Sequence, residues 1–254
     1  PPEGVPFHVW ISVFTQMMVN YLDIRLASSE FLLKRLKRFI EKAPDTYPTL
    51  RSLYHHIAGL RFPAPSQFAR YQETLLNRLG SLLDMLPNVF DCQKGLDVRD
   101  ILSNNTLLLL HDIPNLTVQN FLFSLILAQV FLYRIVTEGH QPSLRNLLVL
   151  DEASALFRRQ DELREGVSYL SYMVSQARGY GLGVVAASQY TSDLSHMLLA
   201  NTSTKILVGG LGRAEDLDLF LKQRPISLEQ KHHVMSHPDI GRAFIADSRN
   251  PYLL

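Results

Sequence analysis

NLLVLDEASALF (residues 146–157) decides how this chain is read: an apolar run stops abruptly at two adjacent carboxylates, Asp151 and Glu152. A short continuous apolar run is what a strand covered on both faces looks like. In open sheets of alternating strands and helices, ligands sit beyond the carboxyl ends of the strands. The two acids therefore stand where a ligand would be. Either acid would equally serve to cap the segment that follows, and these residues alone leave both readings open.

Working outward, strand-like and helix-like segments alternate from about residue 88. NTLLLLHDI (105–113) reads as a buried strand and a long helix follows over roughly 117–138. After NLLVL comes a helical stretch over about 161–179, then GLGVVAAS (181–188) and STKILVGG (203–210) as further strands. A short helix near 214–222 and a last strand, GRAFIAD (241–247), complete the pattern. Such alternation predicts a parallel sheet with right-handed crossovers. GVVAAS runs into Ser188 and Gln189, so a strand beside NLLVL would bring the Gln189 amide to the same crevice.

Residues 8 to about 86 have a different texture. FHVWISVFTQMMVNYL, SSEFLLKRLKRFIEKAP, PTLRSLYHHIAGL and SQFARYQETLLNRLGSLLDML each carry apolar residues at helical spacing. Ser28 or Ser29 is the expected cap of the second segment and Pro44 its stop. The division expected is an all-helical subdomain or insertion over 1–87 and an α/β core over 88–254.

With 254 residues, 46% hydrophobic and 19% charged, the chain has the composition of a folded globular protein. The net charge of +1 decides nothing about nucleic acid, because basic residues can be confined to one surface. A single cysteine, Cys92, excludes an internal disulfide and fits a reducing compartment. FLFSLILAQVFLY (121–133) is shorter than the roughly 18 residues needed to cross a bilayer. A buried helix, no integral membrane segment and a cytoplasmic location are expected. The opening PPEGVPF carries no initiator methionine, so the chain is expected to start partway through a longer protein or to follow a disordered segment.

Phosphoryl transfer from a nucleotide needs a divalent metal to neutralise phosphate charge and a group that orients or deprotonates the attacking water. A strand ending in Asp then Glu offers one acid for each task. Beyond that chemistry, LLVLDEASALF followed by SQARGYGLGVVAASQYTSDLSHMLLANTSTKILVG resembles the HerA/FtsK superfamily of P-loop ATPases, its HerA-like and type IV secretion branches above all. The features shared are the acidic strand end, the turn with Arg178 and Gly179, the strand ending in Gln189, Ser192–Asp193 in the next loop, and Asn201, Thr202 and Thr204 before another strand. They extend over about 65 residues, a more specific signal than a lone DE pair.

The resemblance implies a RecA-like (ASCE P-loop NTPase) parallel core with an all-helical insertion, using ATP and Mg. Asp151 and Glu152 would be the Walker B acids. Asp151 would hold magnesium through water, Glu152 would polarise the lytic water and Gln189 would act as a sensor. Arg178 would meet a nucleotide in cis or across a subunit interface; at a helix end it would otherwise be a solvated cation favoured by the dipole. The function implied is a motor moving double-stranded DNA through a homohexameric ring, with a partner nuclease or other effector subunit as a further expectation.

One departure stands against the match. The phosphate-cradling loop reads G-x-x-x-x-G-K-[ST], and no Gly–Lys pair occurs anywhere in the chain. GGLGRAED (209–216) is glycine-rich but lacks the lysine. Either the loop lies upstream of Pro1, or the chain is a catalytically incompetent ATPase-fold scaffold or assembly subunit. A nucleotide-binding regulator that moves nothing is a third reading. Elsewhere, Lys34, Arg35, Lys37 and Arg38 read as a solvated helix face, with contact to phosphate backbone or to an acidic partner as the alternative. The HH pairs at 55–56 and 232–233 point apart on a helix and do not chelate one metal. Cys92 lacks a nearby base.

Overall fold

Apolar residues at Ile11, Phe14, Met18 and Leu22 line one side of the first helix, α1 (Phe7–Leu22), which turns out of its axis at Asp23 in left-handed backbone. The computed structural model describes residues 1–41, 48–165, 168–208, 216, 217, 219, 227–236 and 243–247. The chain divides into two compact units, residues 1–141 and 142–254. The expected division at 87/88 falls inside the first.

The first unit is helical. After α1 come α2 (Leu26–Glu41), α3 (Leu50–Ala58), α4 (Gln67–Met85), α5 (Pro87–Phe90), α6 (Val98–Ser103) and α7 (Leu116–Tyr133). Side chains close the helix starts where the sequence supplies them. Thr49 Oγ1 accepts from the Ser52 N–H, Ser66 Oγ from Ala69 and Asn115 Oδ1 from Val118, each at 3.1 Å. Such caps satisfy amides that have no partner inside the helix. The expected cap at Ser28 or Ser29 is corrected. α2 begins earlier, and both serines are buried within it, where the Ser29 hydroxyl donates back to the Leu26 carbonyl. The Pro44 stop lies outside the described residues.

α7 is the core of this unit. It is apolar all round, as a helix surrounded by others must be. Phe121 and Phe131 are fully buried, and Phe14 and Phe90 both pack against the Phe121 ring. Burial of each such side chain stabilises by about 1.5–3 kcal/mol. α7 runs on through a π-helical turn, Arg134–Glu138. The combined helix, Leu116–Glu138, is long and apolar enough to cross a membrane, longer than the apolar run alone suggested, but most of it is buried among its neighbours.

Residues 105–113, expected to be a strand, form none. The segment is irregular, with Leu107 80% and Leu109 66% exposed. A strand exists only by pairing, and none of the described strands pairs with it.

The second unit holds β1 (Gln141–Leu150), α8 (Arg159–Glu165), α9 (Tyr169–Gln176), β2 (Tyr180–Ala186), α10 (His196–Asn201), β3 (Thr204–Val208), a helix at Leu228–Ser236 and β4 (Ala243–Asp247). β1 and β2 are neighbours in one sheet. Ala187, just past β2, donates to the Leu150 carbonyl (2.9 Å) and accepts from the Ala153 N–H (2.7 Å). One residue straddling two on its partner is the parallel pattern. Gly183 permits the close approach, for a Cβ there would lie 2.9 Å from Leu147 Cδ1.

The single parallel sheet expected is corrected for its second half. β3 and β4 form a separate antiparallel pair, in register from Thr204↔Asp247 to Val208↔Ala243. Leu207 and Phe244 pack on a small core of Leu217, Val234 and Ala246. Both pairs keep apolar residues in the open, among them Leu147, Val149, Val185, Ile206 and Val208. The architecture is α/β with a small parallel sheet. The short helix expected near 214–222 lies mostly outside the described residues.

Candidate functional site

β1 is driven to its buried end at Leu150 and the chain then leaves the ladder for two residues. Those two are Asp151 and Glu152, both exposed. The ladder resumes at Ala153, which is buried and anchored to Ala187, and Leu156 and Phe157 follow it into the core. The acids are therefore extruded between two fixed points. Glu152 adopts left-handed backbone, φ 53° and ψ 54°, a conformation that costs an L-residue about 1–2 kcal/mol. Non-glycine residues held this way concentrate at functional sites.

Both oxygens of Glu152 are engaged. Ser154 Oγ donates to Oε1, and the Gln189 amide donates to Oε2 at 3.3 Å. Gln189 reaches it because β2 runs parallel to β1, so both strands present their carboxyl ends together. The structure thus brings Asp151, Glu152 and Gln189 to one place. The contribution of Ser154 was missed in the sequence, although its position two residues after Glu152 is the spacing of a local side-chain turn.

Arg178 is elsewhere. It sits exposed in a 3₁₀ turn, Ala177–Gly179, that precedes the amino end of β2. The seven residues of β2 separate it from Gln189, roughly 20 Å at strand rise. Within one chain it does not share the crevice of Glu152.

The loop after Gln189 is tied down. The Ser192 N–H donates to the buried Asp216 carboxylate at 2.6 Å. Ser195 caps α10 and donates its own N–H to the Phe157 carbonyl, while Glu162 accepts from the His196 and Met197 amides. Asn201 ends α10, and Thr202 leads into β3 at Thr204. The glycine-rich 209–215 lies outside the described residues.

Among the described residues no cluster of three His, Cys, Asp or Glu is placed to hold a metal ion. Magnesium does not require one. It is commonly held by one or two carboxylates, waters and substrate phosphates. An exposed Asp beside an oriented Glu fits that mode and does not fit zinc.

No protein-family model and no curated protein matches this chain. Solved structures do. The structure of VirB4 of Thermoanaerobacter pseudethanolicus is similar over 99% of this chain and 69% of its own length, with TM-score 0.65 and 16% identity. The genome packaging NTPase B204 from Sulfolobus turreted icosahedral virus 2, in complex with ATP-gammaS, aligns with 52% of this chain at 18% identity and TM-score 0.39. Its sulfate complex aligns with 63% at 17% identity and TM-score 0.45. The chain spans 59% of the length of the ATP-gammaS-bound B204 chain. The VirB4 likeness, at 16% identity, concerns the fold alone.

Proposed function

We propose that this chain is the rear part of a Mg-ATP-dependent motor ATPase of the HerA/FtsK type that translocates double-stranded DNA through a homo-oligomeric, hexameric ring in the cytoplasm. The observation that carries the reading is the Glu152 carboxylate, extruded at the ends of two parallel strands and held by both Ser154 and Gln189. A base that must orient one water needs a fixed carboxylate, and two donors fix it. Asp151 is the residue to hold a magnesium shell through water. The ion, when bound, neutralises phosphate charge. Gln189 is placed to sense what occupies the crevice.

Arg178 is assigned to a neighbouring subunit's nucleotide. Its separation from Glu152 along β2 argues against action in cis and favours action across an interface, where such an arginine stabilises transition-state charge. The phosphate loop and its lysine must come from outside these 254 residues. Further strands would also cover the apolar rows left open on both sheets. The division into a helical part, 1–87, and an ATPase core, 88–254, belongs to this proposal, as does an effector subunit such as a nuclease.

The test uses the full natural protein. Glu152→Gln is expected to abolish DNA-stimulated ATP hydrolysis, by about a hundredfold or more for loss of a general base, while ATP still binds. Unchanged turnover would sink the motor reading. The absence of a Gly–Lys pair favours one rival, a scaffold subunit with no phosphate loop. It predicts no nucleotide binding by the full protein and an oligomer that forms regardless of ATP.

A further inference from the structure

We infer that the helical unit carries a docking face for single-stranded nucleic acid, built from an aromatic cluster contributed by α2, the segment before α4 and the start of α4, with unpaired cations on α2 and at Arg61. At its centre is Arg35. Its guanidinium lies 5.0 Å from the Phe31 ring centroid and 5.6 Å from that of Phe62. Phe62 in turn stacks on Phe68 at 5.7 Å and 28°. Tyr71 meets Phe68 edge-on at 6.2 Å. Phe68 is the outermost ring of this group and is 53% exposed.

The charge around the rings has one sign. Lys34 and Arg38 follow Phe31 by three and seven residues, which places them on its face of α2. Both are exposed, as is Arg61 next to Phe62. None of these three forms an ion pair with a carboxylate among the described residues. The helix's own acids, Glu30 and Glu41, stand towards its two ends. Residues 23–85 contain ten Lys and Arg against six Asp and Glu, in a chain whose total is +1.

Unpaired cations alone describe a solvated helix or any anionic partner. The ring stack narrows the choice. An exposed aromatic held by a second ring keeps its own free surface at fixed orientation, and every nucleobase has a flat face to lay on it. A guanidinium spread over a ring is likewise pre-set for stacking as well as for phosphate. Base faces are hidden inside a duplex, so the ligand is a single strand, such as an unpaired tail. Acidic protein would use the cations and leave Phe68 idle, whereas anionic lipid would bury the ring but makes no use of a flat face held at fixed orientation, and the vesicle arm of the test separates it. This inference does not rest on nucleotide hydrolysis and is tested without ATP.

The experiment is fluorescence anisotropy of the full chain with a fluorescein-labelled 20-mer of dT, titrated at several salt concentrations. Phe68→Ala and Phe68→Leu are both expected to weaken binding about tenfold, the loss of one stacked base, and Phe68→Tyr to stay within about twofold. The Leu variant keeps the apolar contact with Phe62, so a shared loss reports the ring and not the fold. The Lys34→Ala/Arg38→Ala double variant should lower the salt slope by about 1.4, near 0.7 per phosphate contact on a single strand. Three results overturn the inference: no binding to the 20-mer, binding indifferent to Phe68→Leu, or tighter binding to a duplex or to anionic vesicles, whether or not Phe68 contributes to it.

Discussion

Replacing Glu152 by glycine should leave this protein more stable than replacing it by alanine, the reverse of the ordinary order. In regular backbone, glycine is about 0.5–1 kcal/mol less stable than alanine, because it loses more freedom on folding. At φ 53° the alanine Cβ meets the left-handed penalty of about 1–2 kcal/mol, which glycine escapes. The difference is about 1 kcal/mol in favour of glycine. Both variants lose the bonds from Ser154 and Gln189, so that loss cancels in the comparison. Thermal unfolding followed by circular dichroism should place the glycine variant about 4 °C above the alanine variant for a unit of this size. Tyr172, exposed in the middle of α9, supplies the internal control, where alanine should be the more stable. A glycine variant that melts at or below the alanine variant at position 152, with the control behaving, would refute the claim that the site stores backbone strain.

Phe121→Ala should cost about 3–5 kcal/mol, since the ring is fully buried in α7 between Phe14 and Phe90, and should lower the melting temperature of the helical unit by roughly 10 °C or more. Arg51→Met gives a pH-dependent result. The Arg51 guanidinium, 2.5 Å from Asp91, holds that carboxyl below its usual range. A depressed native value means the pair contributes stability above the unfolded aspartate's pKa, about 3.9, and loses it as pH falls through the native value. The melting-temperature gap between wild type and Arg51→Met should therefore be present at pH 7 and closed near pH 2.

The first four helices were legible because apolar spacing along α1 to α4 is set by the helix's own period and needs no knowledge of neighbours. The crevice was legible for a similar reason. Strand, acids and Gln189 follow one another in order, and parallel pairing alone brings their ends together. What failed was pairing that sequence order does not encode. The leucines of 105–113 announce a segment that wants cover, but an apolar run does not say what pairs with it, and Leu107 stays exposed. β3 and β4 look like any two strands in an alternating chain, yet they run antiparallel, because the direction of return depends on the connection between them. For Arg178 the motif leaves open whether it meets a nucleotide in cis or across an interface. Its position at the opposite end of β2 follows from strand direction, which a motif does not carry.

The clamp around the two acids has a consequence for how such a protein changes over time. Ala187 grips Leu150 and Ala153 through backbone atoms only. Neither bond depends on what residues 151 and 152 carry as side chains, only on there being two of them. Drift can therefore rewrite the acids while the ladder stays whole, whereas a gain or loss of one residue would pull Ala153 out of register. Chemistry and architecture are separately inherited at this corner of the sheet, and the same scaffold can serve a working engine or a silent one.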